Sequence, residues 1–412
     1  MTVSLPCAFT CADCGIKTKM RGLAADLEPP RIGPVKMLVE AFLKSYNALI
    51  AAKPGCRQAF PPEIALPALF DLAVSAGYAE RMVANGGWIY CASGPSLYFP
   101  FLDTCPKCSI GQIRPVLGIK GHKPNSDPIG QICGETILAI FSEVFRLKGL
   151  SVRLAKSTNR QGDVDFAVYD EAFLALAEVK ASPLVLYAIG LQLKDKMEDV
   201  VDGEKVAKAD HSPATIQSVE SAPMTMYVAN RNRHISIGPK SHESWPFKEL
   251  SEYVADLANL EVILEAWKEV YDGYVSEWAG SAARNRWMTA GCGGKVDDSK
   301  NLPGLDRTDD IKKGTYQVLK YGTSYKEPCT KRLVRALLVS NLKPVKSWVR
   351  YLADVQDVLW TKPKYRREAE SLDSSLVAFQ KDGVFNLYDG IVCLTGNVVG
   401  DAKIGQVFDW QP

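Results

Sequence analysis

With 412 residues, 47% of them apolar, and a net charge of +2, the chain is long enough for two or three domains and too apolar to be globally disordered. The near-neutral charge excludes no partner, because a nucleic-acid binder needs basic residues clustered on one face and not a basic total. No apolar run reaches membrane-spanning length and no signal peptide opens the chain, so a soluble, cytoplasmic protein without a membrane partner is expected.

The N-terminal part is marked by cysteines. Eleven are present, an odd number, and two pairs stand at Cys-x-x-Cys spacing, Cys11/Cys14 and Cys105/Cys108. In a cytoplasmic protein that pattern favours metal over disulfide. Each pair resembles a zinc knuckle, and together they would make a tetrahedral all-cysteine site for structural Zn2+, like a zinc ribbon with a very long gap between its halves. Cys7, Cys91 and His122 are possible substitutes. Between the knuckles, Val35 to Ala51 places Met37, Leu38, Ala41, Phe42, Tyr46 and Leu49 on a helical stripe, and a second helix is expected over Ile64 to Ala76. Residues 109–133, rich in Gly and Pro, read as a turn-rich connector.

The most informative stretch runs from Gly134 to Lys180. Leu138, Phe141, Phe145 and Leu147 recur at helical steps over 135–148, and Gly149 supplies the left-handed residue that stops the helix. Leu150 to Ala155, Val164 to Tyr169 and Phe173 to Val179 read as strands, with a turn at Asp170-Glu171. The third run is apolar enough for a central strand. Glu178 and Lys180 leave its same face, with Val179 turned into the core on the other. Asp165 and Glu178 would then meet at the ends of adjacent strands and hold Mg2+ through oxygen. Lys180 would orient a water or stabilise charge on phosphorus, and Glu135 on the preceding helix could reach the metal as an accessory acid. Asp163 is a rival to Asp165, which is favoured because an apolar strand follows it directly. Acid-x-Lys triplets also occur as surface ion pairs, but here the triplet follows Phe173 to Ala177, where buried charge is costly without a purpose.

Beyond Lys180, Thr225 to Ala229 reads as another strand of that sheet, followed by the polar cluster Asn230 to His234. Arg231 and Arg233 there could contact DNA bases or phosphate, or form a plain surface turn. Trp245 to Trp278 is one long helix or two, capped by Ser244. The glycines at 291–294 lack the strand before and the Gly-Lys-Ser/Thr after that a nucleotide loop requires. Asp309 to Tyr321 is a helix that carries Lys313, Gln317 and Lys320 on one face. Residues 331–367 are the most basic part, with Lys346 and Arg350 among aromatic residues, and give the best electrostatic footprint for DNA. A strand is expected at Leu333 to Val339, a helix at Ser347 to Leu359, and a closing hairpin from Gly383–Tyr388 and Ile391–Leu394. No tandem repeat stands out.

The ordered set of Glu135 on a helix, Asp165 on a strand and Glu178-Val179-Lys180 on the next strand resembles the core of the PD-(D/E)xK nuclease superfamily, which includes many type II restriction endonucleases and junction resolvases. The residue before Asp165 is Val164, so the Pro-Asp half is absent. The helix bearing Lys313 and Gln317 looks like the Gln-bearing helix downstream of the catalytic strand in several restriction endonucleases. The resemblance implies an α/β fold with a mixed central sheet flanked by helices, over 126–412, after a zinc-stabilised, partly helical subdomain over 1–125. It further implies a prokaryotic, Mg2+-dependent homodimer that cuts double-stranded DNA at a specific sequence. A structure-specific nuclease and a non-catalytic zinc-containing DNA-binding protein are the alternatives.

Overall fold

The computed structural model describes residues 16–85, 88–89, 96–97, 127–158, 164–185, 187–191, 198–201, 204–207, 220–278, 302–330, 334–367, 378–379, 383–399 and 401–410. The chain is mixed α/β and forms two compact units, each assembled from separated segments. The first draws on Met1–Arg31, Val144–Lys180 and Thr308–Pro412, the second on Ile32–Glu143 and Ala181–Arg307. The division therefore does not fall at residue 125. A linear cut misses it because the first unit's sheet contains parallel neighbours, and a parallel neighbour requires a long crossover.

That sheet has seven strands, and their order in space is their order in the chain. They are β1 (Leu27–Glu28), β2 (Arg153–Ser157), β3 (Phe166–Tyr169), β4 (Leu174–Val179), β5 (Val334–Ser340), β6 (Gly390–Cys393) and β7 (Val398–Val399). Strands β1 to β4 pair antiparallel, β4–β5 and β5–β6 pair parallel, and β7 returns antiparallel. Phe166 to Tyr169, Leu174 to Ala177 and Ala336 to Val339 are all buried. Continuous apolar runs of this kind suit strands covered on both faces.

Local chemistry sets the corners. Gly149 takes φ +63 after the Asp127–Leu147 helix, and Leu150 N donates to Phe145 O at 3.0 Å. That closure is the left-handed cap expected of glycine. Asp170 Oδ1 accepts from the backbone N–H of Ala172 at 2.6 Å and of Phe173 at 2.9 Å, which turns β3 into β4. After β6 and β7, the short Ala402–Val407 helix starts on Asp401, whose Oδ1 caps Lys403 N and Ile404 N while Oδ2 takes Arg335 Nε at 2.7 Å.

The crossover from β4 to β5 ends in the Thr308–Tyr325 helix, which packs on both strands. Ile311, Gly314, Val318 and Tyr321 face inward and are buried, and Tyr321 Oη donates to Leu337 O at 2.6 Å. The crossover from β5 to β6 departs from expectation. In place of a helix over 347–359, a single π-helical turn spans Trp348–Leu352, and Leu359–Thr361 then forms a strand. Only Leu352 of that turn is buried, so no apolar stripe exists to hold a longer helix. The last two runs do not pair as a hairpin. Val384–Asn386 joins Leu359–Thr361, whereas Gly390–Cys393 lies parallel to β5. Asp389 between them donates its N–H to Ala336 O and accepts Ala336 N on Oδ2 at 2.7 Å, which fixes the next residue beside β5.

The second unit contains the helices Val35–Ala52, Pro62–Asn85, Phe247–Ala255 and Leu257–Trp278 and a five-stranded antiparallel sheet. The strand anticipated at 225–229 is Met224–Val228, and it belongs to this sheet and not to the one that carries Asp165. Ser244 caps nothing with its side chain; Pro246 occupies the N-cap. The connector expected over 109–133 is already helical from Asp127, and Pro128 is tolerated because first-turn N–H groups have no helical partner. At the centre of the unit, buried Asp71 takes three donors on Oδ2: Leu184 N at 3.1 Å, Val185 N at 2.8 Å and Trp267 Nε1 at 2.7 Å. Among the described residues its Oδ1 has no hydrogen-bond partner.

Cys11, Cys14, Cys105 and Cys108 lie outside the described residues, as do Cys7, Cys91, His122, Asp163 and the glycines at 291–294. Of the described cysteines, Cys56, Cys133 and Cys393 are buried and Cys329 is exposed. Among the described residues no three His, Cys, Asp or Glu side chains cluster as a metal cage, and no helix is long and apolar enough to cross a membrane.

Burial raises the Asp71 carboxyl to about 8, against the opposing pull of its three donors. A raised acid contributes stability that is fully present below its unfolded value of 3.8 and lost as pH rises through about 8. Urea unfolding of the full chain, followed by tryptophan fluorescence, should therefore show a decline from pH 5 to pH 8 that Asp71→Asn flattens. Asp71→Ala leaves three buried donors unpaired and should cost about 3 kcal/mol or more at either pH.

Candidate active site

The antiparallel register that pairs Phe166 with Ala177 places Asp165 opposite Glu178. Asp165 is tied down by its backbone, with its N–H donating to Ala177 O at 3.0 Å and its carbonyl accepting Ser157 N at 2.9 Å. Its Oδ2 also accepts the Val179 N–H at 2.7 Å. Lys180 is anchored from the other side, where its N–H donates to Val339 O at 2.9 Å. Three strands thus converge on the C-terminal end of β4. Asp165, Glu178 and Lys180 come together there as the spacing predicts.

Glu178 is only 2% exposed, and Val179 is less buried than it. The expectation that Val179 turns into the core, away from Glu178, did not include the cover on Glu178's face. The Thr308–Tyr325 helix supplies it. Leu338 lies in register with Glu178 on β5, and a Cβ built on Gly314 would stand 2.8 Å from Leu338 Cδ1 and 3.2 Å from Lys180 Cγ. Glycine at 314 is what lets the helix approach the Lys180 stem this closely. A glycine inside an otherwise helical pattern was the available signal for that approach.

The electrostatics follow from crowding. The Lys180 ammonium donates to Glu178 Oε1, and the Asp165 carboxyl is the nearest acidic neighbour of Glu178. Burial, and next the neighbouring Asp165, push the Glu178 carboxyl up to about 8, although Lys180 opposes both. Asp165 keeps solvent access on one side, yet enough protein surrounds its carboxylate that desolvation raises it too, against the Val179 N–H and Lys180. For Lys180 burial works to lower the value, but Glu178, Asp165 and Asp310 outweigh it and the ammonium is held above its ordinary range. Tyr321, fully buried, titrates far above the normal phenol because of burial and then the same two carboxylates.

The other expected site residues separate. Glu135 belongs to the second unit, where Arg81 Nη2 lies 3.5 Å from its carboxylate. Arg231 and Arg233 are in that unit as well. Arg231 is paired with Glu269 and Glu265, and Arg233 donates to Asn259 Oδ1 at 2.8 Å. On the 308–325 helix the expected Lys-Gln face divides. Lys313 points outward and is exposed, while the Gln317 Oε1 is enclosed without a hydrogen bond, on the side shared with Gly314. Lys346 and Arg350 are exposed. Part of the basic segment is neutralised internally: buried Glu327 accepts Lys362 at 2.5 Å, Tyr365 Oη at 2.5 Å and Lys364 at 3.2 Å. Lys326 meets Asp389 at 2.5 Å.

Two close carboxyls with raised affinity for protons form a site whose charge is short of one cation. Mg2+ fits it, because that ion commonly binds through one or two carboxylates and keeps its remaining positions for water and phosphate oxygen. Compared with protein-family models, with curated proteins and with solved structures, the chain matches none.

Because Glu178 holds a proton up to about 8, a metal ion that binds there must displace it below that pH. Calorimetric titration of the full chain with Mg2+ should show the release of about one proton per ion near pH 7 and an affinity that falls toward tenfold per pH unit below 8. Glu178→Gln should abolish both effects.

Proposed function

We propose that the first unit is a Mg2+-dependent DNA endonuclease centre that hydrolyses phosphodiester bonds, with Asp165 and Glu178 as metal ligands and Lys180 as the electrostatic catalyst. The observation that carries this reading is the carboxyl pair, opposed on adjacent strands and bridged by a lysine two residues further on. Bound there, the metal ion would polarise the phosphate and lower the pKa of a coordinated water.

The protein's own residues do the rest. Deprotonated Glu178 would help hold the metal ion, and the Lys180 ammonium beside it would be placed to donate to a non-bridging phosphate oxygen. Held as a cation, Lys180 acts by charge and not as a proton acceptor. Asp165, fixed by the Val179 N–H, keeps one oxygen committed to the backbone and offers the other. Attack by water forms one P–O bond and breaks another, which yields a phosphate monoester and a hydroxyl end.

Site-specific cutting of duplex DNA by a homodimer of the restriction type remains the first reading of the substrate, on the resemblance of Asp165 and Glu178-Val179-Lys180. Glu135 fits an accessory role only as part of that resemblance. A structure-specific nuclease is the second reading, and two observations favour it. Arg231 and Arg233, the candidate DNA contacts in the polar cluster, are engaged within the protein, and exposed aromatic and apolar side chains lie near other cationic ones. Structural Zn2+ on Cys11, Cys14, Cys105 and Cys108 belongs to the same proposal and is checked by metal analysis of the purified chain.

Incubation with phage DNA and Mg2+ tests the reading. Discrete fragments that vanish in EDTA would mark a site-specific enzyme, and cutting confined to branched DNA a structure-specific one. In either case Lys180→Ala, Glu178→Gln and Asp165→Asn should each slow cleavage by about a hundredfold or more. No cleavage of any DNA by a normally folded chain sinks the catalytic proposal.

A further inference from the structure

The outward face of the Thr308–Tyr325 helix carries a different chemistry from the inward one. Lys312, Lys313, Tyr316, Leu319 and Lys320 are exposed along it, and Tyr316 is 64% exposed. Lys312 and Tyr316 stand four residues apart and so lie side by side. The Lys312 ammonium sits 5.6 Å from the centre of the Tyr351 ring, and the Arg350 guanidinium 5.1 Å from the same ring. One turn earlier, Lys343 sits 5.2 Å from the centre of Trp348, and Val349 between the two rings is 75% exposed.

These cations are held in a manner unlike their neighbours. Lys362 and Arg335 are fixed by carboxylates, Glu327 and Asp401, and their charge is cancelled. Lys312, Lys343 and Arg350 are held over aromatic rings, which orders the side chain and leaves the charge available. Ordered, uncancelled cations lose less entropy when a phosphate binds. The exposed acids Asp354 and Asp357 follow the turn and bound the patch on that side.

Charge alone would suit any polyanion, but the exposed apolar surface narrows the choice. In a duplex the base faces are stacked inside and only edges are presented. A ring as exposed as Tyr316 gains by stacking only on a base that is unpaired. We propose that this face binds an unpaired nucleic-acid strand, with phosphates on Lys312, Lys343 and Arg350 and a base on Tyr316. Its purpose as a guide to Asp165 and Glu178 rests on the nuclease reading, whereas the contact itself does not.

The test is fluorescence anisotropy with a labelled single strand and the matching duplex, on the full chain in EDTA. The wild type should prefer the single strand. Tyr316→Ala should weaken that binding about tenfold and leave the duplex unchanged. Lys312→Ala with Arg350→Ala should weaken both and lower the single-strand salt slope by about 1.4, at roughly 0.7 per phosphate contact. Equal affinity for both forms with no effect of Tyr316→Ala overturns the proposal, as does equal binding to heparin or to phosphatidylserine vesicles. Cleavage with Mg2+ is scored separately. A chain that binds the strand and never cuts retains the platform and loses the nuclease; one that cuts while the variants bind normally loses the platform alone.

Discussion

Two carboxyl groups set opposite each other, one of them buried, resist ionising together unless a positive charge accompanies them. In this chain the accompanying charge is Lys180, and much of the first unit exists to keep it there. Its backbone is bonded to β5, its stem lies under Gly314, and its head meets Glu178. The pair is therefore costly to hold as it stands, because desolvation is offset by a single cation for two acids. A small divalent ion would relieve that imbalance more completely than an ammonium, which is the physical reason behind the proposal of a metal site in place of a structural ion pair.

The same unit shows buried charge used differently beside the neighbouring strands β5 and β6. Glu327 takes three donors and Asp389 is matched by Lys326 and a backbone N–H, so each acid is fully answered within the protein. Those groups pin the crossover between β5 and β6, where the chain has few buried apolar residues of its own. Complete satisfaction suits a structural role, and the shortfall at Asp165 and Glu178 is what sets the proposed site apart from them.

The local signals in the sequence carried far. Alternation and apolar runs located β3 and β4, Gly149 and Asp170 their flanking turns, and the two-residue step from Glu178 to Lys180 the shared face. What escaped were facts of pairing. Nothing local distinguishes Met224–Val228 from a strand of the first sheet, or shows that Val384–Asn386 and Gly390–Cys393 choose different partners. The burial of Glu178 beyond Val179 depends on a helix that begins about 130 residues later. Arg231 and Arg233 stood as candidate DNA contacts because their acceptors, Glu269 and Asn259, come from a helix about 30 residues further on and leave no local sign.

The chain leaves the first unit immediately after Lys180 and re-enters it at Thr308. The β2–β3–β4 meander is local and needs no distant partner, so the opposition of Asp165 and Glu178 can arise early in folding. The pairing of Val179 with Val339 joins residues 160 positions apart and waits on everything between. The Lys180 anchor and its helical cover are then among the last contacts made. An incomplete chain emerging from the ribosome would carry the opposed acids before Val339 is available to anchor the backbone beside their lysine.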